Sequence, residues 1–349
     1  MKRVWNTTAK ITILLFALVG GLFTFVFIGE QVGLFSVRGS TTERNSFFQE
    51  YTKHEEDTSK NVVMCKIRVL SSFAPLSAST YLDVYTRTGD GELLAMMLSI
   101  ASRRFYRTDI LKQYDRCLVS SQFIKSETQL SAFEWAETSP WATLKSAFPK
   151  DLETITRVSL ETEVPARIIV AAAVPEQLRF FSSNRESFKR YFEPLKILGT
   201  MSQFSLGVTG IKPDTAVRIE QYANDPSSVY YTGQDTAQLI LYESQENHDS
   251  VLFDRLTNPD DHYYQYLYTA IYIKQITQAW STAGFPIDDN PGVLVTLFNL
   301  GFDKSNPHAV PETGGAPVTI EGNTYTFGQL GEEFYYSGEL VDLFPYPKP

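Results

Sequence analysis

Three patterns of apolar positions succeed one another along the chain. The first is continuous: from Ile11 to Ile28 there is no charge, and the apolar run is broken only by Thr12, Gly20, Gly21 and Thr24. Its 18 residues sit at the short end of what crosses a bilayer, about 17–25. Lys2, Arg3 and Lys10 precede the run and Glu30 follows it. Positive charge stays on the cytoplasmic side, so residues after Ile28 are expected outside the cytoplasm. A cleaved signal peptide is the rival reading. The apolar core is long for one and no clean small-x-small site follows, which favours an uncleaved anchor.

The second pattern is helical. A polar stretch rich in Thr, Ser, Glu and Asn, Arg38 to Lys60, reads as a linker. Beyond it, Asn61 to Lys150 carries apolar residues at helical spacing. Glu92 to Arg104 lacks Gly and Pro and predicts a helix. Asp109 to Phe123 predicts another, with Asp109 as N-cap. Ser139-Pro140-Trp141 reads as cap, first-turn proline and helix start. No residue pattern in this region implies chemistry, so it is read as a helical spacer or support.

The third pattern is denser. Val164-Pro165 opens a helix, and Ile168 through Val174 is almost wholly apolar, as in a helix buried on several faces. Pro175 is expected to kink or end it by removing the backbone bond to Ala171. Glu176 follows at once. Burial and the negative helix end favour a neutral carboxyl there, whereas a turned-in Arg179 favours the ion. The run Ser205-Leu206-Gly207-Val208-Thr209-Gly210-Ile211-Lys212-Pro213-Asp214-Thr215-Ala216 predicts a glycine-bearing tight loop and then a helix from Pro213 to about Tyr222. His262 to Ala283 reads as a long aromatic helix stopped near Gly284. Val293 to Leu300 is an apolar segment containing Asn299 and closed by Gly301. A turn at Gly314-Gly315, a hairpin over Val318 to Phe327 around Gly322-Asn323, and a short helix over Glu332 to Leu340 complete the chain.

The fold class is therefore mainly α. A cytoplasmic N-terminus occupies 1–10, a transmembrane helix 11–28, a linker 29–60, a helical middle region 61–150, and an α-rich C-terminal domain with a small β-hairpin 151–349. Among 349 residues the net charge is −9, which offers no basic face for nucleic acid. His54, His248, His262 and His308 lack metal-ligand spacing, and neither a phosphate loop nor a serine-hydrolase elbow occurs. Cys65 and Cys117 can pair in an oxidising compartment. Spacing alone leaves that pairing and two separate buried thiols both open.

Three pieces now stand in a telling order: a buried helix reaching Glu176, a Gly-x-x-x-x-x-Pro-x-Thr-Ala run from Gly207 to Ala216, and Phe298-Asn299-x-Gly301. Together they resemble the lysozyme-like domain of lytic transglycosylases and goose-type lysozymes over roughly Pro165 to Gly301. The resemblance implies that Glu176 is the general acid and Gly207 the loop glycine, with Asn299 and Gly301 retained. Three positions depart from the family. Gln177 stands where the family has Ser, Gly210 where it has a substrate-contacting Gln, and Phe298 where it has a Tyr that positions the acid.

That resemblance implies a peptidoglycan lytic transglycosylase cleaving the MurNAc–GlcNAc bond. One carboxyl suffices there, because the muramic acid 6-hydroxyl is the nucleophile and closes a 1,6-anhydro ring, with Glu176 as acid and then base. No cofactor or metal is required, and the partners expected are glycan strands and the membrane. The substrate-side positions it implies are Gly207, Gly210, Phe298 and Asn299, to which the aromatic cluster adds Tyr264 and Tyr268 as candidates. Tyr264, Tyr268 and Tyr272 share one helical face, which suits either a glycan groove or core packing. Glu193, Asp214 and Glu220 are candidate second carboxylates for a hydrolytic reaction. Phe298 and Gly210 motivate the alternative: a membrane-anchored wall-binding or scaffold protein that keeps the fold without turnover.

Overall fold

A computed structural model describes residues 60–102, 109–115, 117, 131–182, 208–242 and 247–347. The anchor read at Ile11–Ile28, the linker up to residue 59, Glu193 and Gly207 lie outside them. No helix among the described residues is long and apolar enough to cross a membrane. The described chain is mainly helical, with one two-stranded antiparallel sheet.

The middle region supplies α1 (Lys60–Phe73), α2 (Pro75–Thr88), α3 (Gly91–Ser102), α4 (Asp109–Asp115) and α5 (Ser139–Ala147). Sequence punctuation sets most of these ends. Pro75 opens α2 and Gly89, in the left-handed region at φ 69°, closes it. Asp90 accepts the Leu93 amide at 2.9 Å and caps α3. The cap of α5 is Thr138 rather than Ser139, its hydroxyl accepting from Trp141 N. Cys65 on α1 and Cys117 are joined by a disulfide, their Cα atoms 5.4 Å apart across 52 residues of sequence.

The C-terminal half contains α6 (Leu152–Thr162), α7 (Ala166–Ser182), α8 (Pro213–Ala223), α9 (Gln234–Gln238), α10 (His248–Thr257), α11 (Tyr263–Thr282), α12 (Pro291–Leu300), β1 (Pro317–Ile320), β2 (Asn323–Thr326) and α13 (Phe327–Ser337). At its centre is α7, which touches α5, α6, α11, α12, α13 and β1. The run from Ile169 to Val174 has no exposed surface, so an all-round apolar helix has found neighbours on every side. Pro175 does not end it. The helix continues through the proline to Ser182, because surrounding elements hold it in place after one backbone bond is lost. Glu176 is thus a residue within the helix, not one beyond its end.

Two further expectations shift. The last helix begins at Phe327 rather than Glu332, capped by Thr326, whose hydroxyl accepts from Gln329 N at 3.2 Å. It packs tightly on α12: a Cβ on Gly328 would stand 2.0 Å from the Thr296 hydroxyl, so only glycine permits this approach. The hairpin turns at Glu321-Gly322, both at positive φ (47° and 94°), with Asn323 already paired to Ile320. That is a type I′ geometry, which favours the right-handed strand twist.

One buried charge joins the beginning of α7 to the end of the described chain. Arg167 has no exposed surface. Its guanidinium donates to the carbonyls of Phe334 (3.0 Å), Tyr335 (2.7 Å), Glu339 (3.2 Å) and Phe344 (2.9 Å). Two of these are last-turn carbonyls of α13, which the helix itself leaves unbonded. Trp135 strengthens the same junction by donating from Nε1 to Glu333 at 3.0 Å.

Candidate functional site

Glu176 is 2% exposed. One helical turn later Arg179 reaches back, and its Nη2 donates to both carboxylate oxygens, 2.6 Å to Oε1. The guanidinium lies over the Phe327 ring, 5.6 Å from its centre. Burial favours this pairing, because in a dry site an unpaired carboxylate costs several kcal/mol.

The glycine-bearing loop closes on the same carboxylate. Gln177 donates to the Val208 carbonyl, Val208 N donates to Gln265 Oε1 at 2.7 Å, and the Thr209 hydroxyl donates to the Gln265 carbonyl at 3.1 Å. Gln265, 2% exposed on α11, also donates to Asn258 O at 2.8 Å. Two glutamines from two helices thus hold the loop against Glu176. Gly210 completes the fit at φ 67°: a Cβ there would stand 2.2 Å from Glu176 Cδ. The space that a side chain at residue 210 would take is filled by the Glu176 carboxyl. Sequence reading singled out Glu176 and Gly210 but missed Gln265. Its signal was an amide among the aromatic residues of an inward-facing helix, a trait shared with Gln275 on the same helix.

The remaining sequence-derived positions lie elsewhere. Phe298 is 8% exposed and packs its ring 5.5 Å from that of Tyr272. Asn299 Oδ1 accepts the Ala316 amide at 2.8 Å and fixes the approach to β1. Neither contact involves Glu176. Tyr268 has no exposed surface, so it belongs to the interior rather than to a groove wall. Tyr264, partly buried, offers its ring to the Arg255 guanidinium at 4.3 Å, and Tyr242 offers its own at 4.1 Å. Tyr268 and Tyr272 are buried, and Tyr264 packs its partly buried ring on Arg255.

Glu220 forms a second centre on α8. Both Tyr268 and Tyr242 donate to its Oε1, the latter at 2.5 Å, and His248 Nε2 lies 2.8 Å from Oε2. Burial and the bond to Glu220 push the Tyr242 hydroxyl up to about 12. Burial lowers His248, but its bonds to Glu220 and Asp249 outweigh that and raise it. With both oxygens taken, Glu220 acts as a fastener between α8, α10 and α11. Asp214 stands in the first turn of α8, where a carboxylate favours the helix dipole.

No family model, curated protein or solved structure matches the chain. The site can hold a carboxylate and a guanidinium in one closed unit, sealed by a loop that admits no side chain at residue 210.

Proposed function

We propose that this chain is a membrane-anchored, peptidoglycan-directed protein whose lysozyme-like C-terminal domain engages glycan strands without cutting them in its resting form. The observation that carries this reading is the double acceptance of the Arg179 guanidinium by Glu176. A general acid must bring a proton within about 2.6–3.2 Å of the leaving oxygen. Here both carboxylate oxygens face an arginine, and the loop at Gly210 covers the side chain. The order of Glu176, the Gly207–Ala216 run and Phe298-Asn299-x-Gly301 supports a lysozyme-like ancestry. The run Ile11–Ile28, preceded by basic residues, supports a single-pass anchor in a bacterial cytoplasmic membrane, with the domain on the periplasmic side. The Cys65–Cys117 disulfide supports an oxidising compartment.

The second reading is a lytic transglycosylase in which Glu176 alone is acid and base. The observation favouring it is the contact of the motif loop with that carboxylate, the meeting of parts that this chemistry requires. In that reading Arg179, 15% exposed at its side chain, swings away when glycan binds.

Full-length protein incubated with purified sacculi separates the readings. Co-sedimentation without release of anhydro-muropeptides, unchanged in Glu176→Gln, is expected. Release by the wild type and not by Glu176→Gln would establish the enzyme and overturn the binding reading. Neither sedimentation nor products would remove peptidoglycan from consideration altogether.

A further inference from the structure

A cavity of about 870 Å³ opens where α3, α6, α7, α11, α12 and the residues following α13 converge. Glu176 is not among its lining residues. Its size falls within the roughly 300–1,000 Å³ of ligand clefts. Met96, Ile168, Ile273 and Leu294 contribute an apolar floor, with the buried Tyr335 beside them. The rim has the opposite character. Asp90, Glu92, Glu163, Asp288 and Asp289 line it, and all five are exposed. Among the described residues that line the cavity the one cation is Lys274, and it is held by Glu163 at 3.0 Å.

The arrangement of these carboxylates decides what they suit. They come from three separate places: the start of α3, the turn between α6 and α7, and the connection between α11 and α12. Among the described residues no group of three acidic, His or Cys side chains is close enough to hold a metal ion. The negative charge is therefore distributed around an apolar hollow rather than focused at a point. A compact cation satisfies only one part of such a rim. An extended ligand with several positive charges and apolar side chains between them satisfies rim and floor together.

We propose that this cavity binds a basic peptide segment with interspersed aliphatic residues, its aliphatic side chains on the Met96–Ile168–Leu294 floor and its lysines or arginines at the acidic rim. The inference is independent of whether glycan is cut. Charge complementarity selects the partner's sign, and the apolar floor separates a peptide from a bare polycation.

Fluorescence anisotropy tests this with full-length protein in a non-ionic detergent. The probe is a labelled alternating lysine–leucine octapeptide; alternating glutamate–leucine and lysine–serine octapeptides and spermine form the other arms. Saturable binding of the lysine–leucine peptide alone is expected, falling as salt screens the rim. The triple variant Glu92→Gln, Asp288→Asn, Asp289→Asn, at three exposed positions, is expected to bind about tenfold more weakly in the same detergent. Wild-type and variant melting curves establish that both are folded. Absence of saturable binding, or equal binding by the triple variant, overturns the proposal. Equal binding of the lysine–serine peptide, or displacement by spermine at equal concentration, overturns the peptide assignment in favour of a simple polycation site.

Discussion

Individual side chains decide what the centre of this protein can do. Gly210→Ala is expected to lose about 2 kcal/mol or more, since alanine at positive φ costs about 1–2 kcal/mol and its Cβ meets the Glu176 carboxyl. Urea denaturation checks this; a loss below half that value means the loop yields easily. Arg179→Met strands a buried carboxylate and is expected to cost about 3–5 kcal/mol. The double variant Glu176→Leu/Arg179→Met should recover most of that loss, because an apolar pair of similar volume removes the desolvation cost. A double variant no better than the single would deny that the pair is a closed unit. Arg167→Lys is expected to lose about 3 kcal/mol or more, as an ammonium cannot reach four carbonyls with a planar fork. None of Arg167's role was legible in the sequence, where it reads as one more charge near a helix start. Its partners are carbonyls, and carbonyls carry no sequence signature.

At the level of elements, much was legible. Pro213 marks a helix start, and Gly284 and Gly301, both at positive φ, mark helix ends. These signals are local, so they survive without tertiary knowledge. The misreadings have a common cause in packing. Pro175 stops an isolated helix, yet α7 runs through it, packed against α12, α13 and β1. The last helix was expected only from Glu332, but Gly328 and Gly331 lie inside α13, where close approach to α12 needs them. The tyrosine stripe of α11 has a periodicity that fits a groove or a core; Tyr268 and Tyr272 are in the core and Tyr264 is partly buried. The disulfide shows how little spacing alone reveals. Its removal by Cys65→Ser/Cys117→Ser is expected to cost about 2–4 kcal/mol, measured as a lower thermal midpoint under oxidising conditions. No difference between oxidised wild type and the double variant would mean that the bond adds nothing to the fold.

Taken whole, the molecule has charged fasteners between its helices, and one of them sets a pH dependence. His262, at the N-cap of α11, lies 2.8 Å from Asp151 Oδ2, which also accepts from Tyr266 at 2.8 Å. The bond to Asp151 raises His262; burial opposes it but does not prevail. Burial raises Asp151, but the bonds from His262 and Tyr266 outweigh this and leave it lowered. A raised histidine contributes fully below its unfolded value near 6.5 and loses its contribution as pH climbs through the folded value. Lowered Asp151 contributes above its ordinary value near 4 and loses that as pH falls. Between these limits the pair is strongest. The wild type is therefore expected to melt higher at pH 6 than at pH 8.5. The His262→Gln variant should show a smaller gap; His248 retains a dependence of the same sign. An equal gap in both proteins would rule the pair out as its source. The candidate site was half legible at this scale: the sequence singles out Glu176 and Gly210, which the structure brings together, whereas Asn299, Phe298 and Tyr268 serve other neighbours. Arg167 carries a last implication, about time. Its receiving carbonyls stand 167 to 177 positions downstream. A nascent chain halted before Phe334 contains a guanidinium with no place to deposit its hydrogens in the interior, so the C-terminal half can settle only after synthesis has passed that point.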